Sequence, residues 1–220
     1  RGRPGGRVSR RVRVGVLADT HVGEFLDALP SGVERALRGC ELILHAGDLS
    51  VPEVLDDLGR IAPVVAVRGD HDRFGELDLP HRGVVTVAGA RIGLVHGHRH
   101  PGLDAAVIAA HVFAGRRIRW RANLHPALLR RVGPVDCLVY GHWHEPAIER
   151  VGGTLVVCPG AVCPWGSLEG GRPPRRGLPG VGDRGVRRYR RQLGREAMTP
   201  SVALLEVGAD GVEARIVPLR

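Results

Sequence analysis

The sequence predicts a single α/β domain built on a parallel sheet, and three observations lead there. Apolar runs of strand length at 12–18, 41–45 and 64–67 are separated by helix-like stretches, the pattern of buried parallel strands joined by crossovers. Short turns rich in Asp and His follow one apolar run after another, where open α/β sheets place their sites. The 220 residues suffice for one domain with a full core and are short for two.

Taken in order, residues 1–11 are rich in Gly and Arg, carry no apolar period, and read as a flexible basic arm. The strand 12–18 ends in Asp19-Thr20-His21, and a helical pattern then covers 24–38 with Pro30 as its break point. Strand 41–45 runs into Ala46-Gly47-Asp48, a second helix covers 51–60, and strand 64–67 runs into Gly69-Asp70-His71-Asp72. Past residue 83 the strands shorten, with 84–87 followed by 91–95, which ends at His96-Gly97-His98. The 45 residues between His96 and His142 hold a helical pattern at 104–114, the alternating run Arg117-Ile118-Arg119-Trp120-Arg121, and a short helix near 127–131. Strand 135–140 leads into Gly141-His142-Trp143-His144, and strand 154–157 into Cys158-Pro159-Gly160-Ala161. Residues 165–197 are rich in Gly, Pro and Arg and are expected to form a mobile loop, after which 202–207 and 212–217 close the chain as a hairpin around Asp210-Gly211.

Composition bounds the function. The net charge of +9 belongs to two segments, six Arg in residues 1–13 and nine Arg against three acids in 165–197, so the body is slightly acidic. All 32 basic residues are Arg, which points to a GC-rich coding bias more than to a selected nucleic-acid surface. No apolar run reaches the roughly 18 residues of a membrane span. No signal peptide is visible, although the chain begins with Arg1 rather than Met. Cys40, Cys137, Cys158 and Cys163 show no CxxC spacing and read as buried thiols of a cytoplasmic protein.

The turns carry the chemistry. A lone His is usually structural, but here five strand ends offer Asp19, His21, Asp48, Asp70, His71, Asp72, His96, His98, His142 and His144. Mixed carboxylate and imidazole donors suit Mn, Fe or Zn better than Mg alone. The set is large enough for two ions sharing one carboxylate, and two ions about 3.5–4 Å apart can clamp a phosphate.

In that order, Asp19-Thr20-His21, Gly47-Asp48, Gly69-Asp70-His71-Asp72, His96-Gly97-His98 and Gly141-His142-Trp143-His144 resemble the motifs of the calcineurin-like metallophosphoesterases, over residues 12 to about 163 and again from 201. The compact spacing looks most like the small prokaryotic phosphodiesterase branch, whose fold a retromer subunit shares. The resemblance implies a two-sheet α/β sandwich with metals at the carboxyl ends of its strands, in one domain over 12–220 with insertions near 99–133 and 165–197. It implies one metal on Asp19, His21, Asp48 and His144 and a second on Asp48, Asp70, His96 and His142, with Asp48 bridging. Manganese is the first expectation, and iron, nickel and zinc are the alternatives. It further implies in-line attack on a phosphate ester by a bridging hydroxide, with His71 protonating the leaving oxygen and Asp72 fixing the His71 tautomer. His98 lies outside the ligand set and lines the site, and His45 reads as a packed structural residue.

Three departures from the pattern matter. Asp70 replaces the usual Asn, which lowers the charge of a two-metal centre by one and predicts tighter metal binding, a weaker pull on anions and tolerance of trivalent iron. The usual N-P-G-S turn reads Cys158-Pro159-Gly160-Ala161. The inserted segments are where substrate choice is expected: on a strand, Arg117, Arg119 and Arg121 would share one face and bind a second phosphate or a nucleotide, while Trp143 either stacks on a base or packs. Two other readings stay open: a nuclease holding nucleic acid through its Arg-rich segments, and a non-catalytic scaffold on the same fold. Every ligand position keeps a coordinating side chain and His71 is present, which weighs against the scaffold. Substrate, native metal and oligomeric state are not written in the sequence.

Overall fold

Val14, Val16 and Ala18 point to one side of the first strand while Leu17 points to the other, and both sides are fully buried. That alternation puts the strand between two apolar layers and sets the architecture of the computed structural model, which describes residues 10–74, 77–98, 104, 106, 121–164 and 191–219. The order is β1 (Val12–Leu17), α1 (Ser31–Leu37), β2 (Leu42–His45), α2 (Glu53–Gly59), β3 (Val64–Ala66), β4 (Arg82–Val87), β5 (Ala90–Val95), α3 (Arg121–Val132), β6 (Cys137–Tyr140), β7 (Ala147–Val151), β8 (Thr154–Cys158), β9 (Ser201–Gly208) and β10 (Gly211–Pro218), with 3-10 turns at His71–Phe74 and Arg195–Met198.

The strands form two five-stranded sheets, ordered β10-β9-β1-β2-β3 and β4-β5-β6-β8-β7. β1, β2 and β3 are parallel, with Val16 opposite Leu44 and Leu44 opposite Val65, while the β9–β10 hairpin closes that sheet antiparallel. In the second sheet β5, β6 and β8 are parallel, and β4 and β7 are antiparallel edges. Three apolar clusters follow from the period-two alternation of the strands. Val14, Val16, Leu44 and Leu205 meet Ile92, Leu94, Val139 and Val157 between the sheets. Leu37 of α1 and Leu58 of α2 pack on Leu17 and Ile43 outside the first sheet, and Leu124 and Leu128 of α3 pack on Leu138, Tyr140 and Val156 outside the second. Fully burying each such leucine contributes about 1.5–3 kcal/mol. The result is the two-sheet α/β sandwich, with helices on both outer faces.

Local structure departs from expectation at several points. The helix of 24–38 shrinks to Ser31–Leu37, because Pro30 is extended (ψ 139°). Residues 21–26 instead form a tight turn in which Glu24, Phe25 and Leu26 all donate N–H groups to the His21 carbonyl. α3 begins at Arg121 and carries Pro126 inside it, so Arg121 opens a helix rather than ending a strand; Arg117 and Arg119 lie outside the described residues. Of the pattern at 104–114, Asp104 and Ala106 are described and helical. Within 165–197, residues 165–190 lie outside the described set, while Leu193 and Ala197 are buried beside the Arg195–Met198 turn. β7 was not expected: it is a short edge strand with alternating exposure, joined to β8 through Gly152-Gly153. All four cysteines are buried free thiols, and among the described residues no helix is long and apolar enough to cross a membrane.

Candidate metal centre

The parallel strands of both sheets end together. At those ends Asp19 donates its N–H to the Gly47 carbonyl (3.0 Å), Gly141 to that of His96 (2.9 Å), and Val162 to that of Ala18 (3.1 Å). Each strand end then turns sharply, and the turn residues are the Asp and His residues of the motifs. Five of the seven non-glycine residues with positive φ among the described residues are Asp19 (54°), His21 (48°), Asp48 (60°), His142 (73°) and His144 (54°). Left-handed backbone costs roughly 1–2 kcal/mol for an ordinary L-residue. Its concentration here turns five side chains inward that a continuing strand would point elsewhere.

The motif glycines leave room for this convergence. A Cβ on Gly69 would lie 2.1 Å from Asp48 Oδ1, and one on Gly141 would lie 2.6 Å from the Ala18 Cβ and 3.0 Å from Asp19 Oδ2.

The donor atoms converge in four overlapping triads, each with its atoms within 4.8 Å of one another: Asp19–His21–His144, His21–Asp48–His71, Asp19–Asp48–His96 and Asp70–His96–His98. Asp48 Oδ2 sits between His96 Nε2 (3.2 Å) and His21 Nε2 (3.7 Å), while its Oδ1 accepts the N–H of His71 (2.9 Å). His144 Nε2 is 3.5 Å from Asp19 Oδ1, and His142 Nδ1 is 3.4 Å from Asp70 Oδ2. The structure therefore brings Asp19, His21, Asp48, Asp70, His96, His142 and His144 to one place, with Asp48 in the middle. His98 joins them, its Nδ1 3.6 Å from Asp70 Oδ1.

The donor set fits transition-metal ions. His21 Nδ1, His96 Nε2 and His142 Nε2 are buried ring nitrogens with no hydrogen-bond partner, a costly state for polar atoms unless an ion satisfies them. His96 donates its other nitrogen, Nδ1, to the Ala46 carbonyl (2.8 Å), which fixes the ring and aims Nε2 at Asp48, as histidine ligands are usually fixed.

Charges reinforce this geometry. Burial alone would lower the His96 pKa, but the Asp48 carboxylate 3.2 Å from its Nε2 drives it up to about 10. Burial and the neighbouring His96 charge push His142 down to about 3. Asp48 is held well below the usual carboxylate range, because His96 and His21 outweigh its burial. Asp19 is likewise lowered, with His144 outweighing burial. In the metal-free protein a proton on His96 therefore occupies part of the position a cation would take.

One expected role changes. Asp72 does not face His71. It is fully buried, and its Oδ2 accepts N–H groups from Gly69 (2.8 Å) and Asp48 (3.0 Å) while Oδ1 accepts that of Ser50 (2.8 Å). The carboxylate on His71 is Glu24, with Oε2 2.6 Å from His71 Nδ1 and 3.6 Å from His21 Nδ1. The physical reason is the 3-10 turn at His71–Phe74, which points consecutive side chains apart, so Asp72 closes its own loop while the 21–26 turn delivers Glu24. Burial would raise the Glu24 carboxyl, but the His21 ring 3.6 Å away and the hydrogen bond with His71 hold it at about 2. His71 responds in kind: burial would lower its pKa, and Glu24 and Asp48 raise it. No spacing in the sequence marks Glu24, since it reads as the first residue of a helix.

Other candidates separate clearly. Trp143 is 3% exposed and donates its indole N–H to the Gly97 carbonyl (3.4 Å), so it packs in the core and offers no face to a base. His45 is fully buried, pushed down to about 4 by burial, and placed between Thr20 Oγ1 (3.3 Å) and the Gly47 N–H (3.2 Å), a structural role. Asp104, from the inserted stretch, is buried with Oδ2 3.8 Å from His142 Nε2, a contact that no motif announced.

Comparison with known proteins agrees with this geometry. The family model described as the calcineurin-like phosphoesterase superfamily domain matches residues 12–172. A probable metallophosphoesterase of Methanothermobacter thermautotrophicus is 32% identical over 148 residues, 67% of this chain and 76% of that protein. One from Methanocaldococcus jannaschii is 32% identical over 159 residues, 70% of this chain and 72% of that protein. Among solved structures, Vacuolar Protein Sorting 29 of Cryptosporidium parvum superposes with a TM-score of 0.62 at 20% identity, covering 96% of this chain and 92% of that one. A structure described as a novel archaeal phosphodiesterase gives 0.54 at 19% identity, covering 94% of this chain and all of that one. These two likenesses speak to the fold.

Proposed function

The chain belongs to the calcineurin-like phosphoesterase superfamily, and from that premise we propose that it is a metal-dependent phosphoesterase with a dinuclear centre, acting on diesters. The observation that carries the reading is Asp48 standing between His21 and His96, flanked by Asp19 with His144 and by Asp70 with His142. Asp19, His21, Asp48 and His144 would hold one ion and Asp48, Asp70, His96 and His142 the other. Bound there, the ions would polarise the phosphoryl oxygens and make water acidic enough to attack near neutral pH.

The remaining work falls to the chain itself. His71 is 40% exposed at the rim and its Nδ1 is engaged by Glu24, so Nε2 is the nitrogen that can deliver a proton to the leaving oxygen. Glu24 orients that ring and favours its protonated form. Asp72 holds the Asp48–Ser50 turn against Gly69, and so holds the central carboxylate. The preference for diesters rests on charge: Asp19, Asp48 and Asp70 together reduce a two-metal centre's positive charge, which suits a monoanionic diester better than a dianionic monoester. The archaeal phosphodiesterase of the same fold is consistent with that choice.

The test is stoichiometry with selectivity. Stripped protein dialysed against Mn²⁺ is expected to retain two ions per chain and Asp48→Ala fewer than one, with bis(p-nitrophenyl) phosphate turned over faster than p-nitrophenyl phosphate. One tight ion in the wild type, unaffected by Asp48→Ala, or a monoester preference, would overturn the corresponding half of the reading.

A further inference from the structure

A cavity of about 260 Å³ opens beside the candidate centre, lined by His81, Arg82, Val95, His96, His98 and Arg131. It shares His96 with the ligand set, and His98 on its wall lies 3.6 Å from Asp70, so the cavity and the second metal position are one side chain apart. The chain builds this wall from separate elements. Arg82 opens β4 opposite Val95 in the register of the second sheet, which brings it next to His96. Arg131, in the last turn of α3, donates to the His98 carbonyl and pins the His96-Gly97-His98 turn from the other side. Arg68, just before Gly69-Asp70, donates its backbone N–H to the Pro80 carbonyl (2.8 Å), anchoring the loop that carries His81.

The wall is rich in basic side chains. Two guanidiniums and two imidazoles line it together with the ligand His96, while the carboxylates that act on His98 are Asp70, which also faces His142, and the buried Asp104. Arg82 and His81 form no ion pair or hydrogen bond through their side chains among the described residues, and the buried Nε of Arg68 has no hydrogen-bond partner. Some exposed arginines elsewhere pair with acids, as Arg11 does with Glu213 and Arg13 with Glu206, so what sets Arg82 apart is its place on the wall of a cavity beside the candidate centre. A guanidinium that has no partner among the described residues, on the wall of a cavity at the rim of the proposed phosphate-hydrolysing centre, matches an anionic group held at a fixed offset from the reacting one.

We propose that this cavity is a subsite for a second phosphate, so that the natural substrate is a phosphodiester bearing another phosphate group. Arg82 is its principal ligand and His81 and His98 are supporting donors. The volume is just below that of drug-sized pockets, about 300–1,000 Å³, and suits a phosphate with a sugar-sized neighbour rather than a whole nucleic-acid strand. The inference rests on the phosphoesterase reading for where the first phosphate lies, and its test is separable from turnover.

Thymidine 3′,5′-bisphosphate and thymidine 5′-monophosphate, which differ in one phosphate, are titrated calorimetrically into the Mn²⁺-loaded full chain and into its Arg82→Ala variant. Hydrolysis of the p-nitrophenyl 5′-esters of the same two nucleotides is followed in parallel. The bisphosphate is expected to bind the wild type about tenfold more tightly than the monophosphate, as a charge-assisted hydrogen bond gives. That ratio is expected to fall toward one in Arg82→Ala and to recover in part in Arg82→Lys, and KM for the two esters is expected to follow the same ratios. Equal affinities in the wild type, or a ratio untouched by Arg82→Ala, would overturn the subsite. Absence of turnover with the ratio intact would leave the subsite standing and remove the hydrolase reading instead.

Discussion

Asp72 offers the sharpest perturbation, because sequence and structure give it different work. If it oriented His71, replacing it would slow proton transfer and leave the fold alone. In the structure it accepts three backbone N–H groups, from Asp48, Gly69 and Ser50, at 2.8–3.0 Å with no solvent exposure. In Asp72→Asn the amide oxygen can serve the two donors now on Oδ2, but the NH₂ then meets the Ser50 N–H donor to donor. Leaving that N–H unmet costs about 1–3 kcal/mol, and exchanging a carboxylate for a neutral acceptor weakens each remaining bond by about 1 kcal/mol. The expected loss is therefore roughly 3–5 kcal/mol, a large share of the 5–15 kcal/mol typical of a domain. Asp72→Ala strips all three bonds and is expected to fall close to the folding threshold. Urea unfolding in EDTA reads this without metal linkage. Asp48 and Ser50 both hold positive φ under this carboxylate, so Mn²⁺ affinity is expected to drop at least tenfold as well. An Asp72→Asn protein within about 0.5 kcal/mol of wild type, with unchanged Mn²⁺ affinity and an altered pH–rate profile, would refute the reasoning and restore Asp72 as the partner of His71.

Four further outcomes are expected. Glu24→Gln should cut turnover roughly 10–100-fold and, by removing the carboxylate that raises the His71 pKa, move the falling limb of the pH–rate profile to lower pH. The stability Glu24 contributes in EDTA is present in full above its ordinary pKa of 4.5 and is lost as pH falls toward about 2, so wild type and Glu24→Gln should converge in stability over that window. Asp70→Asn should weaken Mn²⁺ binding while raising turnover at saturating metal and shifting preference toward monoesters; lower turnover at saturation would show that the charge on Asp70 is not what limits the centre. Metal binding at pH 7.5 should release about one proton, because His96 is protonated up to about pH 10 in the metal-free protein while His142 is already neutral, and titration calorimetry in buffers of different ionisation enthalpy reads it directly.

Much of this architecture is legible in residue order. Alternation along 12–17 and the apolar runs before Asp48 and Gly69 locate the parallel strands, and the Asp and His turns after them locate the site. What the sequence does not disclose is set at long range. Glu24 reaches His71 across 47 positions only because Pro30 keeps residues 21–26 out of α1. Asp72 is drawn from its neighbour because three backbone donors from two strand ends surround it. The alternating run to Arg121 has strand period, but Arg121 opens α3, where packing of Leu124 and Leu128 on the second sheet overrides the local pattern. Arg82 and His81 carry no motif and acquire meaning only where β4 lies beside β5.

The central claim is that these converging ligands serve hydrolysis, with His71 delivering the proton. Stripped protein, titrated with Mn²⁺ and assayed on bis(p-nitrophenyl) phosphate beside His71→Ala, tests it most directly. Turnover is expected to rise with metal to saturation and to fall about 10²–10⁴-fold in His71→Ala, with Mn²⁺ affinity retained. Tight metal binding without turnover of this diester or of the monoester would contradict the claim and make the chain a metal-holding scaffold on a phosphoesterase fold.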